Sequence, residues 1–255
     1  TVLKYIDCSS NQLTSLNLKN GKNTSFSTKN FKNNPDLSCI QIDNVDYSNA
    51  NWTAAKDAGA TYKADCAAVV QYTLIPDANF EKKLILLGHD SGTPDGKVPT
   101  INISSLTSLN VFNSYISDLT GIQDFVALKT LTCAVNELTA LDFSKNIALK
   151  ELDCGRNQLT TLNVSKNTAL ISFNCDSNQL TSLDISKNVS LGYLNCYSNK
   201  LISLDVSRNT PLWHLYCYSN SLTALDVSKN KALIEFQCYS NQLTSLNVQN
   251  GNNIN

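Results

Sequence analysis

The sequence predicts a mostly β solenoid, an array of short strands stacked turn upon turn and closed by small α/β caps. Cysteine recurs at Cys133, Cys154, Cys175, Cys196, Cys217 and Cys238, each 21 residues after the last. The leucines that open each unit, Leu128, Leu149, Leu170, Leu191, Leu212 and Leu233, keep the same spacing without insertion. Around each cysteine apolar and polar residues alternate, the period-2 pattern of a strand that buries one face. A fixed period of this length marks an architecture in which each turn hides its apolar face against its neighbours.

One unit reads "LKELDCGRNQLTTLNVSKNTA" (Leu149 to Ala169) and divides into two similar halves, L-x-x-L-x-C-x-x-N and L-x-x-L-x-V-x-x-N. Each half is expected to hold a short strand. The asparagines that close the halves, Asn157, Asn178 and Asn199 in one row and Asn167, Asn188 and Asn209 in the other, tolerate a left-handed backbone and bond to nearby main chain. They are expected to form ladders at two corners. The apolar positions of a turn are each worth roughly 1.5–3 kcal/mol when buried, so they are committed to the core. The cysteine column reads as packing, because a free thiol behaves as a small apolar group. No C-x-x-C spacing or histidine column accompanies it to make a metal site.

Before the array, "IPDANFEKKLILLGHDSG" places Phe80, Leu84 and Leu87 on one helical face, with Asp77 at its start and Gly88 at its end. Ile101 to Ile122 reads as a degenerate first turn. Near the beginning, "LKYIDCSSNQLTSLNL" (Leu3 to Leu18) is a complete repeat core, and its opening phrase returns almost unchanged at Cys238. A strand-like "CIQID", a short helix around Trp52 and the remaining cysteines, Cys39 and Cys66, follow it.

The run "LxxLxCxxNxLTxLDVSxN" in six successive turns resembles the bacterial leucine-rich repeats of the nested 21-residue (IRREKO) type, as found in type IX-secreted surface proteins. The resemblance implies a leucine-rich repeat fold and a multi-module adhesion or recognition protein, extracellular or on the cell surface. It also divides the chain. Residues 1–67 are similar to a last repeat and C-terminal cap of a preceding or neighbouring array. Residues 68–127 then form a linker, an N-terminal helical cap and a degenerate first repeat, and residues 128–255 six repeats running into the start of another C-terminal cap. In such a cap Cys39 and Cys66 are expected to pair as a disulfide, the plainer alternative being two more buried thiols. A pair would close a loop of about 27 residues, a length for which a disulfide contributes roughly 3 kcal/mol.

This order, cap before array, admits three arrangements: a window on tandem modules, head-to-tail self-association in which residues 1–67 cap another copy, or folding back onto the same chain. Six turns span roughly 29 Å at about 4.8 Å each, while residues 67–74 reach about 25 Å at most, which disfavours the last. The absence of methionine, including at position 1, points to a processed or excised piece of a longer product.

Function classes are narrowed by charge. A net charge of -1 with 16% charged residues leaves no electrostatic footprint for nucleic acid, and no apolar run is long enough for a membrane span. Outward positions of the first strand column carry Tyr197, Tyr218 and Tyr239 at one register, with Tyr193, Trp213, His214 and Tyr216 adjoining. Earlier turns carry Lys129, Lys150, Glu151, Asp153 and Arg156 there. Clustered exposed aromatics suit a protein or polysaccharide ligand; the plainer reading is cross-strand pairing that stabilises the sheet. In the second column a threonine row (Thr139, Thr160, Thr181, Thr223, Thr244) lies beside Asp142, Asp184, Asp205 and Asp226, each followed by a base. Charge-balanced solvent rows explain these better than ice or calcium binding. "HDSGTPDGK" (His89 to Lys97) reads as a loop rather than a calcium site, because the alternating oxygen ligands and closing glutamate are missing. With two histidines, His89 and His214, and no nucleophile motif, the sequence assigns no catalytic residue, metal or cofactor.

Overall fold

The computed structural model describes residues 3–66 and 70–251. The chain divides into two compact units, Thr1–Val70 and Gln71–Asn255.

The smaller unit contains a parallel pair, β1 (Tyr5–Asp7) with β3 (Thr28–Asn30), and a parallel three-stranded sheet in the order β2 (Leu16–Asn17), β4 (Cys39–Gln41), β5 (Thr61–Lys63). Helix α1 (Val45–Asn51) is capped by the Asn44 side chain, which accepts from Tyr47 N–H at 2.9 Å. Trp52, at its C-terminal end, is buried among Phe26, Tyr47 and Tyr62. Cys39 and Cys66 are joined by a disulfide. Asn34 Nδ2 donates to Cys8 O at 3.1 Å while its Oδ1 accepts from Leu13 N–H at 3.1 Å, so the opening phrase is wound as a repeat turn.

In the larger unit, β6 (Tyr72–Leu74) pairs antiparallel with β7 (Lys97–Pro99) around α2 (Ala78–Leu86). Asp77 Oδ1 caps α2 through Asn79 N–H and Phe80 N–H at 2.8 and 2.9 Å, while Oδ2 accepts from Ser117 and Asp118 N–H, fastening the helix to the first turn. Phe80 and Leu84 are fully buried, but Leu87 is 39% exposed. The helix ends at Leu86 with Leu87 as its still right-handed C-cap, and Gly88 at φ +77° then turns the chain away. Glu81, itself buried, accepts from Asp95 N–H (2.6 Å) and Gly96 N–H (2.8 Å) and holds the His89–Lys97 loop from within.

After α3 (Thr100–Ile103) the array begins. Strands β8 (Ser108–Asn110), β9 (Thr130–Thr132), β10 (Glu151–Asp153), β11 (Ser172–Asn174), β12 (Tyr193–Asn195), β13 (His214–Tyr216) and, after β14 (Ala224–Asp226), β15 (Glu235–Gln237) form one seven-stranded parallel sheet. Their register is unbroken: Leu109, Leu131, Leu152, Phe173, Leu194, Leu215 and Phe236 stand opposite one another. Behind them the thiols from Cys133 to Cys217 are buried and unpaired. Burial pushes the Cys196 thiol up to about 12, so the column is uncharged packing material rather than a row of nucleophiles.

Two expectations for the repeat need correction. A second-half strand occurs among the described residues of the array only at β14 and β16 (Ser245–Asn247); in the earlier turns that half is held by side chains. Asn188 Nδ2 donates to Val164 O (3.1 Å) and Asn167 O (2.9 Å), and Ser186 N–H donates to Asp184 Oδ1 (2.9 Å). The left-handed residue of the first corner is also not the asparagine but the one before it: Val135, Arg156, Ser177, Ser198, Ser219 and Ser240 have φ between 50 and 56°. Turning one residue earlier points the amide inward. Asn178 Nδ2 then reaches Cys154, Cys175 and Asp176 O at 3.1 Å each, and Oδ1 accepts from Leu159 N–H at 3.0 Å.

Candidate functional site

In every turn of the array the residues three before, one before and one after the cysteine face away from the core, because strand alternation buries the leucine and the cysteine between them. Stacking in register turns these positions into three columns. In the last three turns they hold Tyr193, Asn195, Tyr197; His214, Tyr216, Tyr218; and Glu235, Gln237, Tyr239.

Tyr197, Tyr218 and Tyr239 form a ladder of nearly parallel rings, 4.4 Å between centroids at each step, with interplanar angles of 6 and 11°. The shared ring faces are covered, so the ladder presents edges and hydroxyls. Burial, with the neighbouring Tyr197 and Tyr239, pushes Tyr218 up to about 12. Tyr193 is the hub of the second group, with centroids 6.1 Å from Trp213, 6.0 Å from His214 and 5.8 Å from Tyr216, the last edge-on at 71°. His214 Nε2 lies 3.4 Å from Glu235 Oε2. Desolvation, aided by a hydrogen bond with Glu235, pushes Tyr216 up to about 12. These are neutral phenols at physiological pH, suited to hydrogen bonding and packing rather than to acid–base work.

The two aromatic groups border one depression of about 230 Å³, lined by Tyr193, Asn195, Tyr197, Tyr216, Tyr218, Glu235 and Gln237. Of the residues singled out by sequence, Trp213, His214 and Tyr239 lie outside this lining. A second depression of about 240 Å³, lined by Thr130, Thr132, Glu151, Asp153, Ser172, Asn174 and Tyr193 among others, shares Tyr193 with the first.

Sequence reasoning missed Gly192. It occupies the register of Trp213 one turn earlier, and a β-carbon there would collide with Trp213 Nε1. The glycine therefore seats the indole across the neighbouring strand, leaving Trp213 41% exposed. The signal was legible as the smallest residue beside the largest in one column. The amides of Asn195 and Gln237, also missed, bring donors and acceptors to the aromatic depression.

No family model matches the chain. Over 71 residues it is 39% identical to Internalin J of Listeria monocytogenes (serotype 4b, strain F2365), which is 28% of this chain and 8% of that protein. The solved functional domain of InlJ from Listeria monocytogenes, described as including a cysteine ladder, superposes with a TM-score of 0.66 at 39% identity, over 70% of this chain and 40% of that one. A Leptospira interrogans leucine-rich repeat protein superposes with a TM-score of 0.56 at 24% identity (60% and 42% of the two chains), and the Listeria internalin C2 with 0.54 at 19% (74% and 96%). The chain thus spans less than half of the InlJ domain it resembles, and the last two likenesses bear on fold alone. The architecture is that of a leucine-rich repeat solenoid.

Proposed function

We propose that the chain is a non-enzymatic, extracellular recognition module that binds a protein or polysaccharide through the outward face of its seven-stranded sheet. The observation that carries this reading is the convergence of Tyr193, Tyr197, Tyr216 and Tyr218 with Asn195, Glu235 and Gln237 around a single depression. Tyrosines offer large contact area at small entropic cost, and amides fix orientation, which is the composition of a binding face. The likeness to an internalin domain supports adhesion or protein interaction as the class of activity. No helix among the described residues is long and apolar enough to cross a membrane.

The test is binding of the purified chain to protein and glycan arrays and to intact cell surfaces, with Trp213→Ala and Tyr218→Ala in parallel. Loss of a central aromatic contact is expected to weaken binding at least about tenfold, equivalent to roughly 1.4 kcal/mol, with unchanged circular dichroism. Unaltered binding of both variants to every surface that retains the parent would remove the face from consideration.

A further inference from the structure

Two turns of the molecule carry a free strand edge, and the two edges are complementary. In the array each turn is joined to the next by the same three donors. Cys217 N–H gives to Gln237 O (2.9 Å), Ser219 N–H to Tyr239 O (3.0 Å) and Leu222 N–H to Asn241 Oδ1 (3.1 Å). Strand β15 is the terminal strand of its sheet, and the equivalent donors of its own turn, Cys238, Ser240 and Leu243 N–H, find no acceptor among the described residues. The apolar side chains of that turn are uncovered too. Phe236, Cys238 and Leu243 are only partly buried and Leu246 is 45% exposed, whereas Leu215, Cys217 and Leu222 one turn earlier are fully buried.

The smaller unit holds the opposite edge. Strand β1 pairs with β3 alone. Residues 10–17 repeat residues 240–247 letter for letter, and the corner is wound alike, with Ser10 at φ 56° and Ser240 at φ 53°. Cys8 N–H gives to Asn30 O (3.0 Å), Ser10 N–H to Lys32 O (2.9 Å) and Leu13 N–H to Asn34 Oδ1 (3.1 Å). These are the bonds an array turn makes to the turn after it, so the free side of this turn is the one that faces a turn before. There Asp7 O, Ser9 O and Asn11 Oδ1 stand where Gln237 O, Tyr239 O and Asn241 Oδ1 accept in the array. Asn11 Nδ2 donates to Cys8 O and Ser9 O at 3.1 Å each. It lacks the preceding turn's cysteine carbonyl, which Asn241 reaches at Cys217 O (3.0 Å). Ile6, Cys8, Leu13 and Leu16 are partly buried on this side and Leu3 is 55% exposed.

We propose that the turn of residues 3–18 in one copy of the chain seats on the last array turn of a second copy, as its next turn. In that register Glu235, Phe236 and Gln237 pair with Tyr5, Ile6 and Asp7 of the second copy, and Cys238, Ser240 and Leu243 N–H give to Asp7 O, Ser9 O and Asn11 Oδ1. An unrelated extended segment can pair with a strand edge. It does not supply Leu243 N–H, which takes a side-chain amide from the corner of a following turn. The apolar faces meet position for position, Phe236 on Ile6, Cys238 on Cys8, Leu243 on Leu13 and Leu246 on Leu16. Each copy carries both edges, so the contact is heterologous and repeats from copy to copy. It also sets Tyr5 and Ser9 in the outward columns that hold Glu235 and Tyr239, whatever that face binds.

The experiment is sedimentation velocity of the full chain over a concentration series, beside Leu3→Lys and Leu246→Lys, each of which puts a charge on an exposed side chain of one edge. The parent is expected to grow past the dimer as concentration rises. Each variant alone is expected to stay monomeric with unchanged circular dichroism. Their equimolar mixture is expected to form dimers that grow no further, because Leu246→Lys keeps a sound β1 edge and Leu3→Lys a sound β15 edge. Iodoacetamide labelling of the parent gives a readout that needs no variant. Cys8 and Cys238 are the half-buried free thiols of the described chain, and both are expected to label severalfold more slowly at high concentration. A parent that stays monomeric, with both thiols labelled at the same rate throughout, overturns the proposal and leaves the edges to a further repeat turn or to another protein. Growth of the parent that ends at the dimer, or a mixture that stays monomeric while the parent associates, overturns it equally.

Discussion

At the scale of single residues, the two asparagine rows look alike in sequence but do different work. In the first row the whole amide is used: Asn178 donates to three carbonyls and accepts from Leu159 N–H. In the second row Asn146, Asn167, Asn188, Asn209 and Asn230 are fully buried, and their Oδ1 atoms accept no hydrogen bond among the described residues. Their stabilisation therefore comes from the NH₂ alone, which ties each turn to two main-chain carbonyls of the turn before, Ile122 and Phe125 for Asn146, Val164 and Asn167 for Asn188. Asn188→Ala removes the second donor from the buried Val164 and Asn167 carbonyls, which keep Asn167 N–H and Leu170 N–H, so each lost bond costs about 0.5–1.5 kcal/mol. A loss of about 1–3 kcal/mol is expected, read as a lower guanidinium midpoint at unchanged slope. Asn188→Asp is expected to be worse, because a carboxylate cannot donate and would be charged where nothing is exposed. An Asn188→Asp variant as stable as the parent would show that the donors are dispensable.

At the scale of elements, the smaller unit is built from short strands that a disulfide holds. Cys39 opens β4, which pairs with β5 through Cys39↔Thr61, and Cys66 stands three residues beyond the end of β5 at Lys63. The bond closes its loop across the one parallel pair that joins the sheet to the chain beyond α1. A loop of this length contributes about 3 kcal/mol through the unfolded state. Cys39→Ser with Cys66→Ser, or reduction of the parent, is expected to lower this unit's unfolding midpoint by that amount and to leave amide exchange in β9 to β13 unchanged; equal loss in both places would refute it. The elements also show what sequence can and cannot reveal. First-half strands were legible, because a 21-residue period fixes which side chain stands above which, and hence that Tyr197, Tyr218 and Tyr239 share a column. The second half carries the same apolar alternation yet forms few ladder bonds, because the Asx turns and buried asparagines take up its backbone groups, a choice that alternation cannot encode. Leu87 continues the helical turn, bonded to Lys83 O, yet stays exposed at the helix's C-terminal end, where the packed partners of Phe80 and Leu84 no longer cover it. Gly155 under Asp176 and Gly192 under Trp213 depend on side-chain direction across turns, beyond the reach of a column read one position at a time.

At the scale of the whole molecule, repetition turns a small local preference into a collective pH response. In the second half-turns Asp142, Asp184, Asp205 and Asp226 each accept from the N–H of the serine two residues on, at 3.0, 2.9, 2.9 and 2.8 Å. These serine hydrogen bonds, backbone first for Asp142, Asp184 and Asp205 and side chain first for Asp226, hold every one of the four below its ordinary value of 3.8. A carboxylate whose folded pKa is depressed binds protons more weakly when folded than when unfolded. Its contribution is complete above the ordinary value and is lost as pH falls through the folded one. Asp153 has the opposite sign: burial raises it, so its protonation on acidification favours the fold. Each aspartate is exposed enough for solvent to screen its share, but the four shifts add. From pH 7 to about 4.5 the melting temperature is therefore expected to stay level or rise slightly, and below pH 4 to fall steeply. Asp184→Asn with Asp205→Asn should flatten the acid limb, since the amide oxygen still accepts from serine without titrating. Asp153→Asn should remove the slight rise and leave the acid limb intact. An acid limb unchanged by the double substitution would place the proton uptake elsewhere, and the repeated Asx turns would then be serving geometry without contributing to the pH dependence of the fold.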